Sequence, residues 1–162
     1  MLPIIGELRP WLDPTQLQLH RLPMHVPLEG FDRRSLDGTW SLEMFGHPDA
    51  VPAAAITRDR PRAVDVAVPG NWTMQDLGSF VDLPHYTNIQ MPFPGPPPAL
   101  PDRNPTGVYR RTFDVPKPWS KRRTVIHLAG AESVHAVYVN GAFVGYGTDS
   151  RLPSEYDITD HV

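Results

Sequence analysis

The sequence predicts an all-β protein, an antiparallel jelly-roll β-sandwich carrying an extended N-terminal arm, and three observations carry that expectation. Six short runs rich in β-branched and aromatic residues recur along the chain, each bounded by Gly, Pro or Asp. An Asn140-Gly141 pair stands between two of them, the strongest local signal for a two-residue hairpin turn. No stretch sustains the apolar period of a helix, and NWTMQDLG at Asn71–Gly78 makes one turn at most. Several short strands joined by long crossing loops point to the jelly roll.

In chain order, residues 1–35 read as the arm and residues 36–162 as the jelly-roll domain, cut close at its C-terminal end. An arm of this kind is expected to pack poorly on its own domain, or to be borrowed by a neighbouring copy. The strands follow at Gly38–Gly46, Ala63–Val68, Gly107–Val115, Arg123–Gly130, Ser133–Val139 and Ala142–Gly147. Period two is visible in them: Tyr109, Phe113 and Val115 share a face, with Arg111 the exception, and Ile126 and Leu128 share another. Seven of the 20 prolines fall in MPFPGPPPALPDRNPTG, Met91–Gly107, which reads as a long extended surface loop. With Ile89, Met91, Phe93 and Leu100 and little charge, this segment is expected to expose an apolar patch. The chain stops at Asp160-His161-Val162 with no terminal linker or polar tail, which reads as a boundary within a longer polypeptide.

Composition narrows the function classes. A formal net charge of −3 provides no electrostatic footprint for nucleic acid or anionic lipid, and SKRR at Ser120–Arg123 reads as a solvated turn. Cysteine is absent, which excludes thiol chemistry and fits a cytoplasmic setting. No run approaches the ~20 apolar residues of a membrane span, and the N-terminus lacks a secretory h-region. The seven histidines show no metal-ligand spacing. GYGTDS lacks the rest of a dinucleotide fingerprint, and no nucleophile elbow occurs. On spacing alone the chain has no catalytic constellation.

What remains to be explained is GYGTDSRLPSEYDIT, a charged loop that directly follows an apolar strand. Asp149 reads as a residue capping the Arg151 amide or pairing with the Arg151 side chain, or as part of a polar site. Asn88 reads as a turn residue bonding its own backbone, or as a hydrogen-bonding group for a ligand.

Three stretches taken together resolve the wider question: VPGNWTMQDLG (Val68–Gly78), HYTNIQMPFP with NPTGVYRRTFDVP (His85–Pro116), and VYVNGAFVGYGTDSRLPSEYDIT (Val137–Thr159). In this order and spacing they resemble the N-terminal sugar-binding domain of family 2 β-galactosidases. HRLPMHVPLEG at His20–Gly30 and RRSLDGTWSLEMF at Arg33–Phe45 resemble it as well, so the likeness covers nearly the whole chain.

The resemblance implies a galactose-binding-domain-like jelly roll whose loops complete the galactoside pocket of a TIM barrel, which hydrolyses terminal β-D-galactosides such as lactose with retention. It implies hydrogen bonds to sugar hydroxyls from Asn88 and Asp149, with Asp149 also helping to hold, in the full-length enzyme, a sodium ion that contacts the galactose 6-hydroxyl. It further implies magnesium in that enzyme, a homo-oligomer, contacts with other domains of the same polypeptide, and neither nucleic acid nor membrane as a partner. No catalytic residue is expected here. Retaining glycosidases need two carboxylates about 5–5.5 Å apart, and the family places them in the barrel, so the isolated chain is expected to be inactive. The alternative from another class is a free-standing carbohydrate-binding or interaction module. A third reading keeps the enzyme class and changes the sugar, as in β-glucuronidase or β-mannosidase relatives; the DSRLPSE loop favours the galactosidases.

Overall fold

The computed structural model describes residues 2–24, 31–57, 63–86, 88, 93, 95–96 and 98–162. Among them eight strands form: β1 (Gln18–Leu19), β2 (Gly38–Phe45), β3 (Val64–Val68), β4 (Thr106–Arg110), β5 (Val125–Leu128), β6 (His135–Val139), β7 (Ala142–Gly147) and β8 (Ser154–Asp157). All pairings are antiparallel, in sheets of order β3-β2-β4, β1-β7-β6 and β5-β8. A four-residue helix α1 (Ile5–Leu8) and several 3-10 turns are the only helical pieces among the described residues. None is long and apolar enough to cross a membrane.

The chain divides into two compact units. One spans Arg34–Phe113, and the other combines Pro3–Arg33 with Asp114–Val162. In the first unit, β2 pairs over Gly38–Leu42 with β3, placing Trp40 opposite Val66, and over Ser41–Phe45 with β4, placing Leu42 opposite Tyr109. Leu42, Val66 and Leu77 are buried at its centre, with Trp40, Met44, Val64, Trp72, Phe80 and Tyr109 packed around them. The expected single turn at NWTM is present as a 3-10 turn over Trp72–Met74. It sets the Trp72 indole to stack on Tyr109 and to donate from Nε1 to Asp82 Oδ2 at 2.7 Å. The fourth strand is shorter than the sequence suggests. It leaves its partner after Arg110, and the Arg111 guanidinium reaches back to the Thr39 carbonyl at 2.9 Å.

In the second unit the Asn140-Gly141 turn joins β6 to β7. Both residues have positive φ, 50° and 83°, as a type I′ hairpin requires. The buried apolar residues of this unit are Ile5, Val137, Val139, Val144, Tyr146, Tyr156 and Ile158.

The arm departs from expectation. It is not loosely laid: β1 pairs with β7, Leu22 N donates to the Glu155 carbonyl at 2.8 Å, and Ile5 is buried. An open edge of β7 would present unpaired amides and carbonyls, and the arm satisfies them. The arm still shows Leu8, Leu12, Leu17 and Met24 to solvent. Of the expected apolar patch, Phe93 and Leu100 are exposed, while Ile89 and Met91 lie outside the described residues. Val81, Leu83 and Tyr86, just upstream, are exposed as well.

Candidate functional site

The loop from Thr148 to Pro153 connects β7 to β8, and its shape begins with two missing side chains. A Cβ at Gly145 would stand 2.3 Å from Tyr156 Cδ1, and one at Gly147 would stand 2.8 Å from the Tyr156 hydroxyl. Glycine at both positions therefore lets the fully buried Tyr156 ring lie directly on β7. The G-Y-G and S-E-Y-D parts of the motif are one packing unit, and the polar residues between them form the loop that this unit anchors.

Within the loop Asp149 organises the backbone. Its Oδ1 accepts from the amides of Arg151 and Leu152, each at 2.9 Å. These two bonds, before any charge effect, hold its carboxyl below the usual carboxylate range. Its Oδ2 takes part in neither and faces Arg21 Nη2 at 3.9 Å, with the side chain 28% exposed. The same Arg21 nitrogen donates to the Pro153 carbonyl at 2.9 Å. Arg151 points elsewhere, toward Glu132 at 3.5 Å with its side chain 81% exposed, so it does not pair with Asp149. The Asp149 carboxylate is thus ionised, fixed by one oxygen, and able to accept a hydrogen bond through the other.

Beneath the loop lies a buried polar group. His135 Nε2 shares a hydrogen bond with the Tyr156 hydroxyl at 2.8 Å. Burial, aided by the Arg21 charge, lowers the His135 pKa to about 4, so the imidazole is neutral. Burial pushes both Tyr146 and Tyr156 up to about 12. Arg21 Nε, His135 Nδ1 and the Tyr146 hydroxyl are buried without a hydrogen-bond partner among the described residues.

Asn88 belongs to the first unit and Asp149 to the second. The Asn88 side chain is exposed and donates from Nδ2 to the Tyr86 hydroxyl at 3.0 Å. The segment before it is tethered by Asp82, whose side chain is 6% exposed and accepts from Trp72 and, at 3.4 Å, from Arg103. Arg103 also donates to the Val81 carbonyl and lies 5.4 Å over the Phe80 ring. An open cleft of about 490 Å³ in the first unit, lined by Thr39, Ser41, Arg110, Arg111 and Thr112, includes neither sequence-selected residue. Among the described residues no group of three or more histidines and carboxylates converges as a metal site. Sequence reasoning missed Arg21, His135 and Tyr156. Only the inclusion of HRLP and SEYD in the resembling stretches marked Arg21 and Tyr156, without a role, and His135 lies outside those stretches.

Comparison with known proteins places this geometry. Residues 33–162 match the family model described as glycosyl hydrolases family 2, sugar binding domain. A β-galactosidase of Erwinia tasmaniensis is 39% identical over 168 residues, covering 95% of this chain and 16% of that protein. One from Aeromonas hydrophila is 38% identical, covering 92% of this chain and again 16% of the relative. The chain therefore spans about a sixth of the length of these relatives. Among solved structures, a Bifidobacterium dentium β-glucuronidase complexed with coumarin-3-O-glucuronide matches with a TM-score of 0.56 and 25% identity, over 78% of this chain and 17% of that one. A β-glucuronidase from an uncultured Clostridium matches in fold with a TM-score of 0.61 over 88% of this chain and 22% of that one, at 18% identity. The all-β sandwich expected from the sequence is the fold of this chain.

Proposed function

This chain belongs to the sugar-binding domain family of glycosyl hydrolases family 2, and we propose that it serves as the N-terminal domain of a cytoplasmic, homo-oligomeric β-galactosidase. In that reading it completes the pocket for a terminal β-D-galactoside such as lactose, while a barrel outside this chain supplies the two carboxylates of a retaining hydrolysis. The 162-residue chain alone hydrolyses nothing. The observation that carries the proposal is the Asp149 carboxylate: Oδ1 is committed to the loop backbone, while Oδ2 bonds neither loop amide and has Arg21 at 3.9 Å, a distance that lets it accept from a ligand as well. Asn88, exposed and bonded to the Tyr86 hydroxyl through Nδ2, offers an amide to sugar hydroxyls.

Sodium fits this chain only as a shared ion. Asp149 Oδ2 would supply one oxygen ligand, with the remaining ligands coming from the rest of the enzyme or from the sugar. When bound, sodium supplies a fixed positive charge for a sugar hydroxyl oxygen. No residue described here is assigned to magnesium.

Asp149→Asn tests the reading in the full-length enzyme, because the amide oxygen can keep both backbone bonds while the charge is lost. A fall in kcat/KM of roughly ten- to hundredfold is expected, with a weakened sodium dependence and a smaller loss on a substrate lacking the 6-hydroxyl. If melting temperature changes and the kinetics do not, Asp149 serves the turn alone.

A further inference from the structure

The arm contributes one charged side chain to the interior of the second unit. Arg21 is nine-tenths buried, at 7% side-chain exposure, and it meets the Asp149–Pro153 loop at both ends. One of its nitrogens bonds the Pro153 carbonyl at 2.9 Å and stands 3.9 Å from Asp149 Oδ2. The neighbouring arm residues fix its place: His20 Nδ1 lies 3.1 Å from the Val144 carbonyl, and Leu22 N bonds the Glu155 carbonyl. We propose that Arg21 is a positioning residue, which sets the direction of the free Asp149 carboxylate oxygen from beneath while leaving sugar contact to Asp149 itself. The proposal rests on the assignment of Asp149 to the galactoside pocket.

The chemistry favours an arginine here. Its planar fork presents several donors at fixed angles, so a buried guanidinium can bind a carbonyl and face a carboxylate at once. A buried guanidinium with no anion beside it would be strongly disfavoured, so Asp149 and Arg21 hold each other in place. The neutral His135 ring and the protonated Tyr146 and Tyr156 hydroxyls nearby add no competing charge. Asp149 Oδ1 is already bound to two amides, so rotation about the carboxyl axis is governed by what faces Oδ2, and Arg21 faces it. Arg21 thereby couples the arm, nearly 130 residues away in sequence, to the orientation of a sugar ligand.

Two experiments test this separately from the galactoside reading. In the first, amide hydrogen exchange is measured on the 162-residue chain for wild type, Arg21→Gln and Arg21→Lys. Arg21→Gln is expected to speed exchange at Arg151 and Leu152 about tenfold more than at Val139 and Val144 of the β6–β7 hairpin. Arg21→Lys, which keeps a cation opposite Oδ2, is expected to fall between wild type and Gln. Equal acceleration at all four amides, or none at the loop, overturns the proposal.

In the second, kcat/KM for a nitrophenyl β-galactoside is measured on the full-length enzyme in a cycle with Asp149→Asn. Arg21→Gln is expected to cost roughly fivefold or more when Asp149 is present and less than about twofold in the Asn background. Equal losses in both backgrounds show that Arg21 does not act through Asp149 and overturn the proposal. If Asp149→Asn alone leaves the kinetics unchanged while the loop amides still respond to Arg21→Gln, positioning stands and the galactoside assignment falls.

Discussion

Replacing Gly145 by alanine adds a single methyl group at the place where β7 is most crowded. The new Cβ would lie 2.3 Å from Tyr156 Cδ1, 2.4 Å from Cε1 and 2.9 Å from the Leu19 carbonyl oxygen. Carbon atoms rest about 3.5–4.0 Å apart, so the ring must retreat by more than about 1 Å or β7 must move. Neither is easy. Tyr156 is fully buried, its hydroxyl is tied to His135 at 2.8 Å, and Leu19 belongs to the strand paired on β7.

Overpacking of this kind costs about 2–3 kcal/mol, and breaking the buried His135–Tyr156 bond adds about 1 kcal/mol. For a protein of this size the sum lowers Tm by about 10 °C. Circular dichroism melting of the 162-residue chain reads this directly. Limited proteolysis should also show faster cleavage of the arm, because the clash falls on the β1–β7 seam. The clash predicts its own partial rescue: in a Tyr156→Leu background, where the ring is gone, Gly145→Ala should lose most of its cost, the remainder coming from the Leu19 carbonyl oxygen 2.9 Å from the new Cβ. A Tm within about 3 °C of wild type, or an undiminished penalty in the Leu background, would refute the packing argument.

Three other outcomes follow from the same structure. The His135 pKa is about 4 when folded against 6.5 when exposed. The unfolded chain therefore binds the extra proton first, and stability is full above pH 6.5 and lost as pH falls from 6.5 through 4. The loss is about 2 kcal/mol once residual solvent contact of the half-buried ring is allowed for. His135→Gln should flatten urea-midpoint profiles across that window. Asp157, held down to about 2 chiefly by Thr159 and Arg123, weakens the fold only below pH 3.8. Trp72→Phe keeps an aromatic ring on Tyr109 but removes the bond to the nearly buried Asp82 carboxylate. Urea unfolding followed by circular dichroism should show a loss of about 2 kcal/mol, most of it absent when Asp82 is already Ala, which leaves the indole no acceptor there.

The local part of this fold was legible in the residues. Strands β2, β3, β6 and β7 lie where short β-branched and aromatic runs predict them, and Asn140-Gly141 makes its turn, because hairpin geometry depends on a few adjacent residues. The motif around GYGTDSRLPSEYD identified the family and singled out Asp149 without saying how its two oxygens are divided. Tertiary structure alone decided the rest. The arm was read as loose because Gln18-Leu19 is too short to announce a strand, and its pairing exists only once β7 presents an open edge. Arg21 carried no local signal, since its partners at Asp149 and Pro153 lie far along the chain. Gly145 and Gly147 carry no packing signal in the sequence, yet in the folded protein they are the clearance for the Tyr156 ring. Local backbone preference is set by neighbours in the chain, whereas ring clearance, edge pairing and a buried ion pair are set by neighbours in space, which a linear pattern does not name.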